Sequence, residues 1–353
     1  MRKQGTSLPD YLEIAHDLRA GITRLRKQFA SASAWVILAD KNTHRFCYPV
    51  LKDHLPPHEI IVVESGEANK NIGTCIEIWT KLTLMGLDRN ALLLNLGGGV
   101  IGDMGGFVAS SYKRGISFVN LPTTLLSQVD ASIGGKLGID FMGYKNHIGL
   151  FRNPDKVIVH QPFLKTLPEN ELRSGYAEVI KHNLISDRDH WKVLTNSSAW
   201  KSNISEDLVR HSIQIKSDIV NEDPLEKGLR KVLNYGHTIG HAIETCYLGG
   251  DFALLHGEAV AAGMIIENFI SNSKGMLASS EMNQANSYIL NTFGKVRINE
   301  NDFQRIVELA RQDKKNSGKE IRATLIKEIG QAQWDITVTP EEVIVALEQY
   351  NAL

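Results

Sequence analysis

Ala91-Leu-Leu-Leu-Asn-Leu96-Gly97-Gly-Gly99-Val-Ile-Gly102-Asp103 decides the architecture. The residues up to Leu96 form a short, nearly continuous apolar run, the pattern of a strand buried on both faces. The glycines after it open a helical stretch. Two similar runs come earlier: Ala34-Trp-Val-Ile-Leu-Ala39, ending at Asp40-Lys-Asn42, and Ile60-Ile-Val-Val63, followed by Glu64-Ser-Gly-Glu67-Ala-Asn-Lys70. Between Asn71 and Leu87 apolar residues recur at helical spacing. Strands alternating with helices predict a parallel sheet covered on both faces. Such sheets bind ligands at the carboxyl ends of their strands. Asp40, Glu67, Lys70 and Gly97 to Asp103 fall at those ends, a coherent location for a dinucleotide.

Glycines between a strand and a helix let the backbone approach a phosphate, which the free N–H groups of the helix N-terminus can bind. The pattern here is not GxGxxG, and a glycine turn alone is common. Its context adds chemistry. Thr123 and Thr124 follow the strand-like Ser117 to Leu121. Then come Gln128-Val-Asp130-Ala-Ser-Ile-Gly134-Gly135-Lys136 and Tyr144-Lys145-Asn146. Lysines and an asparagine among glycines suit an anionic oxygen around which flexible backbone can close. A glycine-rich surface loop with solvated lysines is the plainer alternative.

After about Pro168 the texture changes to long helical patterns, with Ile321 to Ile326 as the only later strand-like run. Two domains follow, 1–169 and 170–353. Within the second, Arg230, Asn234, His237 and His241 recur at spacings that place them on one face of a helix, followed by Leu255-His256-Gly-Glu258. That spacing makes His237 and His241 candidate joint ligands of a zinc ion. A solvated polar face with a capping histidine fits the same spacing.

Composition excludes other classes. A net charge of −1 supplies no global attraction to nucleic acid or membrane. The three cysteines, Cys47, Cys75 and Cys246, are widely spaced and support neither a disulfide framework nor a thiolate cluster. Met1-Arg-Lys-Gln-Gly-Thr lacks the apolar run of a signal peptide, and no stretch approaches the roughly 20 apolar residues of a membrane span. The expectation is a soluble, cytoplasmic protein with no nucleic-acid or membrane partner.

Gly97 to Asn146, Gly175-Tyr-Ala-Glu178-Val-Ile-Lys181, Gly228 to His241 and Leu255-His256-Gly-Glu258 together resemble the 3-dehydroquinate synthase family of sugar-phosphate cyclases. The resemblance implies a Rossmann-like NAD-binding α/β domain and a mostly α-helical metal- and substrate-binding domain. It places a divalent metal, zinc or cobalt, on Glu178, His237 and His256, and moves His241 to the substrate phosphate. NAD contacts fall on Asp40, Asn42, Glu67, Lys70, Gly99, Val100, Ile101, Gly102, Asp103, Thr123, Thr124, Lys136, Lys145, Phe163, Thr166 and Leu167. Substrate contacts fall on Asp130, Lys136, Asn146, Lys181, Lys216, Arg230, Asn234 and His241, with Lys314 favoured over Lys315 as one more. Arg114 matches an arginine that reaches a neighbouring subunit's site, which implies a homodimer. The implied substrate is 3-deoxy-D-arabino-heptulosonate 7-phosphate. Transient oxidation by NAD, phosphate elimination, re-reduction and aldol closure turn it into 3-dehydroquinate, in the shikimate pathway. Tyr144, Asp140 and Gln161 depart from the family pattern, but none is among these contacts. Another sugar-phosphate cyclase, a polyol dehydrogenase of the glycerol dehydrogenase group and a non-enzymatic metabolite-binding paralogue are the competing readings.

Overall fold

The computed structural model describes residues 8–142, 144–196, 204–250, 253–312 and 320–353. Two compact units emerge. One comprises the residues up to Pro168 together with Val209–Asp218; the other comprises Glu169–Leu208 and Ile219–Leu353. The segment Val209–Asp218 therefore goes with the first unit although the sequence texture puts it in the second.

The first unit is built on six parallel strands: β1 (Leu12–Ile14), β2 (Trp35–Asp40), β3 (Glu59–Val63), β4 (Leu92–Gly97), β5 (Ser117–Pro122) and β8 (Lys156–Val159). Their order is β1-β8-β5-β4-β2-β3, and every pairing is parallel. The period of two along each strand divides the core between the faces. Trp35, Ile37 and Ala39 join one cluster with Leu18, Ile22 and Leu25 of the helix Leu18–Gln28. Val36 and Leu38 join the other with Cys75, Ile78 and Leu82 of Ile72–Leu84 and with Met104 and Val108 of Gly99–Ser111. Burial on both sides is why these strands read as unbroken apolar runs.

Register aligns the strand ends. Ala39 pairs with Leu96, Asp40 with Val63, and Gly97 with Pro122. Asp40, the turn after β3, the glycines after β4 and Thr123 thus share one edge of the sheet.

Where the sequence suggested flexible backbone around an anion, Lys136 lies on β6 (Lys136–Phe141) and Tyr144, Lys145 and Asn146 on β7 (Tyr144–Phe151), which pair as a hairpin. Its glycines hid the strands: Gly149 stands opposite Gly138, and a Cβ on Gly149 would meet Leu137 O at 2.2 Å.

In the second unit the helices Glu169–Ser186, His237–Tyr247 and His256–Ser273 carry the metal candidates. A two-stranded ribbon, β9 (Ile321–Glu328) and β10 (Gln331–Val338), accompanies them. The sequence signalled β9, while β10 escaped because its outward residues interrupt the apolar pattern. No helix among the described residues is long and apolar enough to cross a membrane. Cys47, Cys75 and Cys246 are buried and unbridged.

Candidate active site and metal centre

The expectation of one helix through Arg230 and His241 fails. Leu229–Asn234 is a 3-10 turn, Gly236 takes a left-handed conformation (φ 77°), and a separate helix starts at His237. Only His237 and His241 keep the helical spacing, with ring centroids 5.0 Å apart. Arg230 and Asn234 are placed by other partners.

Glu178 is fully buried on Glu169–Ser186. Its Oε1 lies 3.4 Å from His237 Nε2 and 3.6 Å from His256 Nε2, and its Oε2 faces Lys181. His256 is brought in at the start of its helix, where Gly257 lies against Glu169–Ser186. A Cβ on Gly257 would meet Ser174 O at 2.0 Å, and its N–H donates to Ser174 Oγ at 2.9 Å.

The outer nitrogens settle the tautomers. His237 Nδ1 is 3.0 Å from the Tyr235 carbonyl, an acceptor, so Nδ1 carries the proton. His256 Nδ1 likewise faces the Glu244 carboxylate at 3.3 Å. Both Nε2 atoms then converge on one oxygen, Glu178 Oε1, while Oε2 is taken by Lys181. Lone pairs and a carboxylate repel unless a cation stands among them. Three protein ligands of this kind suit a divalent metal with positions left for substrate.

Electrostatics agree. Burial pushes Glu178 up, but Lys181 and then His237 more than offset it and hold the carboxyl well below its ordinary range. Burial lowers His237, helped by Lys181, which favours the neutral ligand form. Burial also opposes charge on His256, yet Glu178 and Glu244 raise it to about 10. A metal bound at His256 Nε2 would have to displace its proton.

His241 offers a nitrogen within 4.8 Å of those of His237 and His256, so a three-histidine set is also geometrically available. Glu178 Oε1 faces the rings of His237 and His256, which favours a set that includes the carboxylate.

Arg230 is buried. Its Nη1 donates to Pro224 O at 2.6 Å and its backbone N–H to Asp223 Oδ2 at 3.1 Å. Asp223 also collects the N–H groups of Gly228 and Lys227, at 2.7 and 2.9 Å. Asn234 Nδ2 donates to Glu226 Oε1 at 3.0 Å. Glu244, Asp223 and Glu226 were missed from sequence, where nothing distinguishes them from surface carboxylates.

In the first unit Lys70 is buried, with Nζ 2.7 Å from Asp103 Oδ2 and 2.6 Å from Asn146 Oδ1. Burial opposes its charge, but Asp103 and Glu67 outweigh that and raise its pKa. Lys145 Nζ lies 3.9 Å from Glu67 Oε1. Lys216 Nζ lies 2.7 Å from both Asp130 Oδ2 and the Asp130 carbonyl.

Asp40 caps the helix Lys41–Phe46 by accepting from Thr43 N–H at 2.9 Å, and it takes Ser65 Oγ at 3.2 Å. The backbone N–H of Asn42 donates to the same Ser65 Oγ. Gly98, Gly99, Gly102 and Asp103 line a pocket with Ser127 and Ser132, two further residues without a sequence signal. Gly99 and Val100 form the first helical turn there, while Ile101 turns into the core. Thr123 is buried, its N–H on Gly97 O, and Thr124 Oγ1 pairs with Ser127 Oγ at 2.9 Å.

Phe163 is buried in the turn Gln161–Thr166, where Thr166 Oγ1 donates to its carbonyl, and Leu167 N–H closes the turn on Leu164 O. Lys136 and Arg114 are exposed. Arg114 takes a left-handed φ of 70°, an uncommon backbone for a residue other than glycine. Lys314 and Lys315 lie outside the described residues.

Comparison with known proteins bears on the whole chain. The family model for the 3-dehydroquinate synthase N-terminal domain matches residues 60–174, and that for its C-terminal domain matches residues 175–316. A relative from Parabacteroides distasonis named 3-dehydroquinate synthase is 41% identical over 320 residues, which cover 89% of this chain and 90% of that one. Among solved structures, 2-epi-5-epi-valiolone synthase from Streptomyces hygroscopicus, described with NAD+ and Zn2+ bound, superposes with a TM-score of 0.87 at 24% identity, over 100% of this chain and 99% of that one. A 2-deoxy-scyllo-inosose synthase, described as complexed with carbaglucose-6-phosphate, NAD+ and Co2+, gives 0.84 at 21% identity over 96% of both chains. These structures share the fold. The adjoining family matches, with a relative this similar over most of both lengths, show that the chain belongs to the 3-dehydroquinate synthase family.

Proposed function

We propose that this chain converts 3-deoxy-D-arabino-heptulosonate 7-phosphate into 3-dehydroquinate and phosphate, using NAD and a divalent metal. The observation that carries this is Glu178 facing two imidazoles whose outer nitrogens are already engaged, in a chain of this family. Support for the cofactors comes from the two solved relatives of like fold, described with NAD and with zinc or cobalt. When bound, NAD would take up and return a hydride at the C5 alcohol, and the metal would polarise the C5 oxygen as a Lewis acid.

The chain's own groups have distinct tasks in this reading. Glu178, His237 and His256 hold the metal. The strand-end set from Asp40 to Leu167 named above holds the nucleotide, with the N-terminus of Gly99–Ser111 facing its phosphates. Lys136, Asn146 and His241 take the substrate phosphate, and Arg230 with Lys216 takes its carboxylate. Lys181, Asn234 and Asp130 orient the remaining polar groups, and Arg114 serves a partner's site in a homodimer. Fixing a phosphate, a carboxylate and a hydroxyl together lowers the entropic barrier to elimination and ring closure.

The test is direct. The full chain is incubated with the heptulosonate phosphate, divalent metal and a trace of NAD, and product is identified by mass. Formation of 3-dehydroquinate is expected. Oxidation of glycerol to match NADH formed, with no cyclised product, would instead assign the chain to dehydrogenase chemistry.

A further inference from the structure

Glu267 is fully buried on His256–Ser273, yet it serves the neighbouring helix. Its Oε2 accepts from Gly236 N–H at 2.6 Å and its Oε1 from Ile239 N–H at 3.3 Å. These are donors at the start of His237–Tyr247, where no residue of that helix supplies a side-chain cap. The first N–H groups of a helix have no partner within it, and a carboxylate is favoured there by the helix dipole.

The residue beside it continues the grip. Buried Asn268 accepts from Tyr235 Oη at 2.5 Å and donates to Asn286 Oδ1 at 2.9 Å. One turn of one helix therefore holds Tyr235, Gly236 and Ile239, which bracket His237. Gly236 is required by this fit: at φ 77° it sits so close that a Cβ would lie 2.4 Å from Met264 Cγ. The Tyr235 carbonyl that this clamp fixes is the acceptor facing His237 Nδ1.

We propose that Glu267 is a positioning residue for the metal centre: capping Gly236 and Ile239 holds the backbone on which His237 Nδ1–H meets the Tyr235 carbonyl, and so keeps Nε2 as the nitrogen that faces Glu178. A buried carboxylate is costly in an apolar interior, and its two backbone bonds offset part of that cost. The proposal rests on His237 being a metal ligand.

The experiment titrates cobalt into metal-stripped, full-length wild type, Glu267→Gln and Tyr235→Phe. Affinity and the visible ligand-field bands at saturation are read, together with circular dichroism and the thermal midpoint. Glutamine retains one acceptor oxygen and cannot serve both N–H groups. Glu267→Gln should therefore bind cobalt about tenfold more weakly or worse, the range seen when a ligand's support is lost, and should shift the bands. Tyr235→Phe should move both readouts the same way by less.

A lowered midpoint with wild-type affinity and bands would mean a purely structural cap and would overturn the proposal. Should Glu267→Gln fail to fold, Tyr235→Phe decides: unchanged affinity and bands overturn it, and a weaker, shifted site supports it. Wild type that takes up no cobalt would overturn the metal-site reading itself, an outcome separate from wild type and variants binding alike.

Discussion

His256 Nδ1 lies 3.3 Å from Glu244 Oε2, so a buried carboxylate orients the ring whose other nitrogen faces Glu178. Such a partner fixes the tautomer and raises the ligand's basicity. Glu244→Ala should weaken zinc or cobalt binding by about 10–100-fold, with the fold intact by circular dichroism. Affinity equal to wild type would show that the pair does not support the metal.

Glu178→Gln and His256→Ala each remove one ligand of three. Both should lose metal and activity together, while the six-stranded sheet still forms. Elemental analysis checks this after gel filtration. A stoichiometric metal content in either variant would reject the ligand set and return His241 to consideration.

Arg230→Ala should impair capture of the substrate carboxylate. Loss of one partner from a buried, charge-assisted pair costs about 2–5 kcal/mol. A substrate analogue lacking the carboxylate should lose far less with the same variant. Equal losses for both would reject the role.

Asp223 anchors the turn that carries Arg230, and its charge sets a pH window. Burial opposes the charge, but the N–H groups of Gly228, Lys227 and Arg230 outweigh it and hold the carboxyl below its ordinary value. A depressed acid stabilises the fold above its unfolded pKa of about 3.9 and loses that contribution as pH falls through the native value. Asp223→Asn should thus be destabilised by roughly 1 kcal/mol at pH 7, a modest figure because the carboxyl is partly exposed. The gap to wild type should close in strong acid. Denaturant melts at both pH values check it, and a gap that persists in acid would point to a different cause.

The sheet was legible because β2 and β4 are buried on both faces, which leaves a continuous apolar signature. The β6–β7 hairpin was not, since Gly138 and Gly149 mimic a loop while serving close strand contact. The helix expected through Arg230 broke at Gly236, whose left-handed turn is a matter of packing against Met264 and leaves no trace in periodicity. Glu178 was recognisable through family resemblance alone. Glu244, Glu226 and Glu267 act as acceptors for groups distant in sequence, so their roles exist only once the chain has folded.

The central claim is that oxidation is transient and that NAD returns to its starting state in each turnover. An oxidised ketone serves this reaction only while it acidifies the neighbouring proton whose loss expels phosphate. The measurement follows phosphate release and the absorbance of reduced nicotinamide together, with far less NAD than heptulosonate phosphate. Phosphate should accumulate well past the amount of NAD while the absorbance stays near baseline. Phosphate that stops at the amount of NAD, with one NADH released for each, would contradict the account.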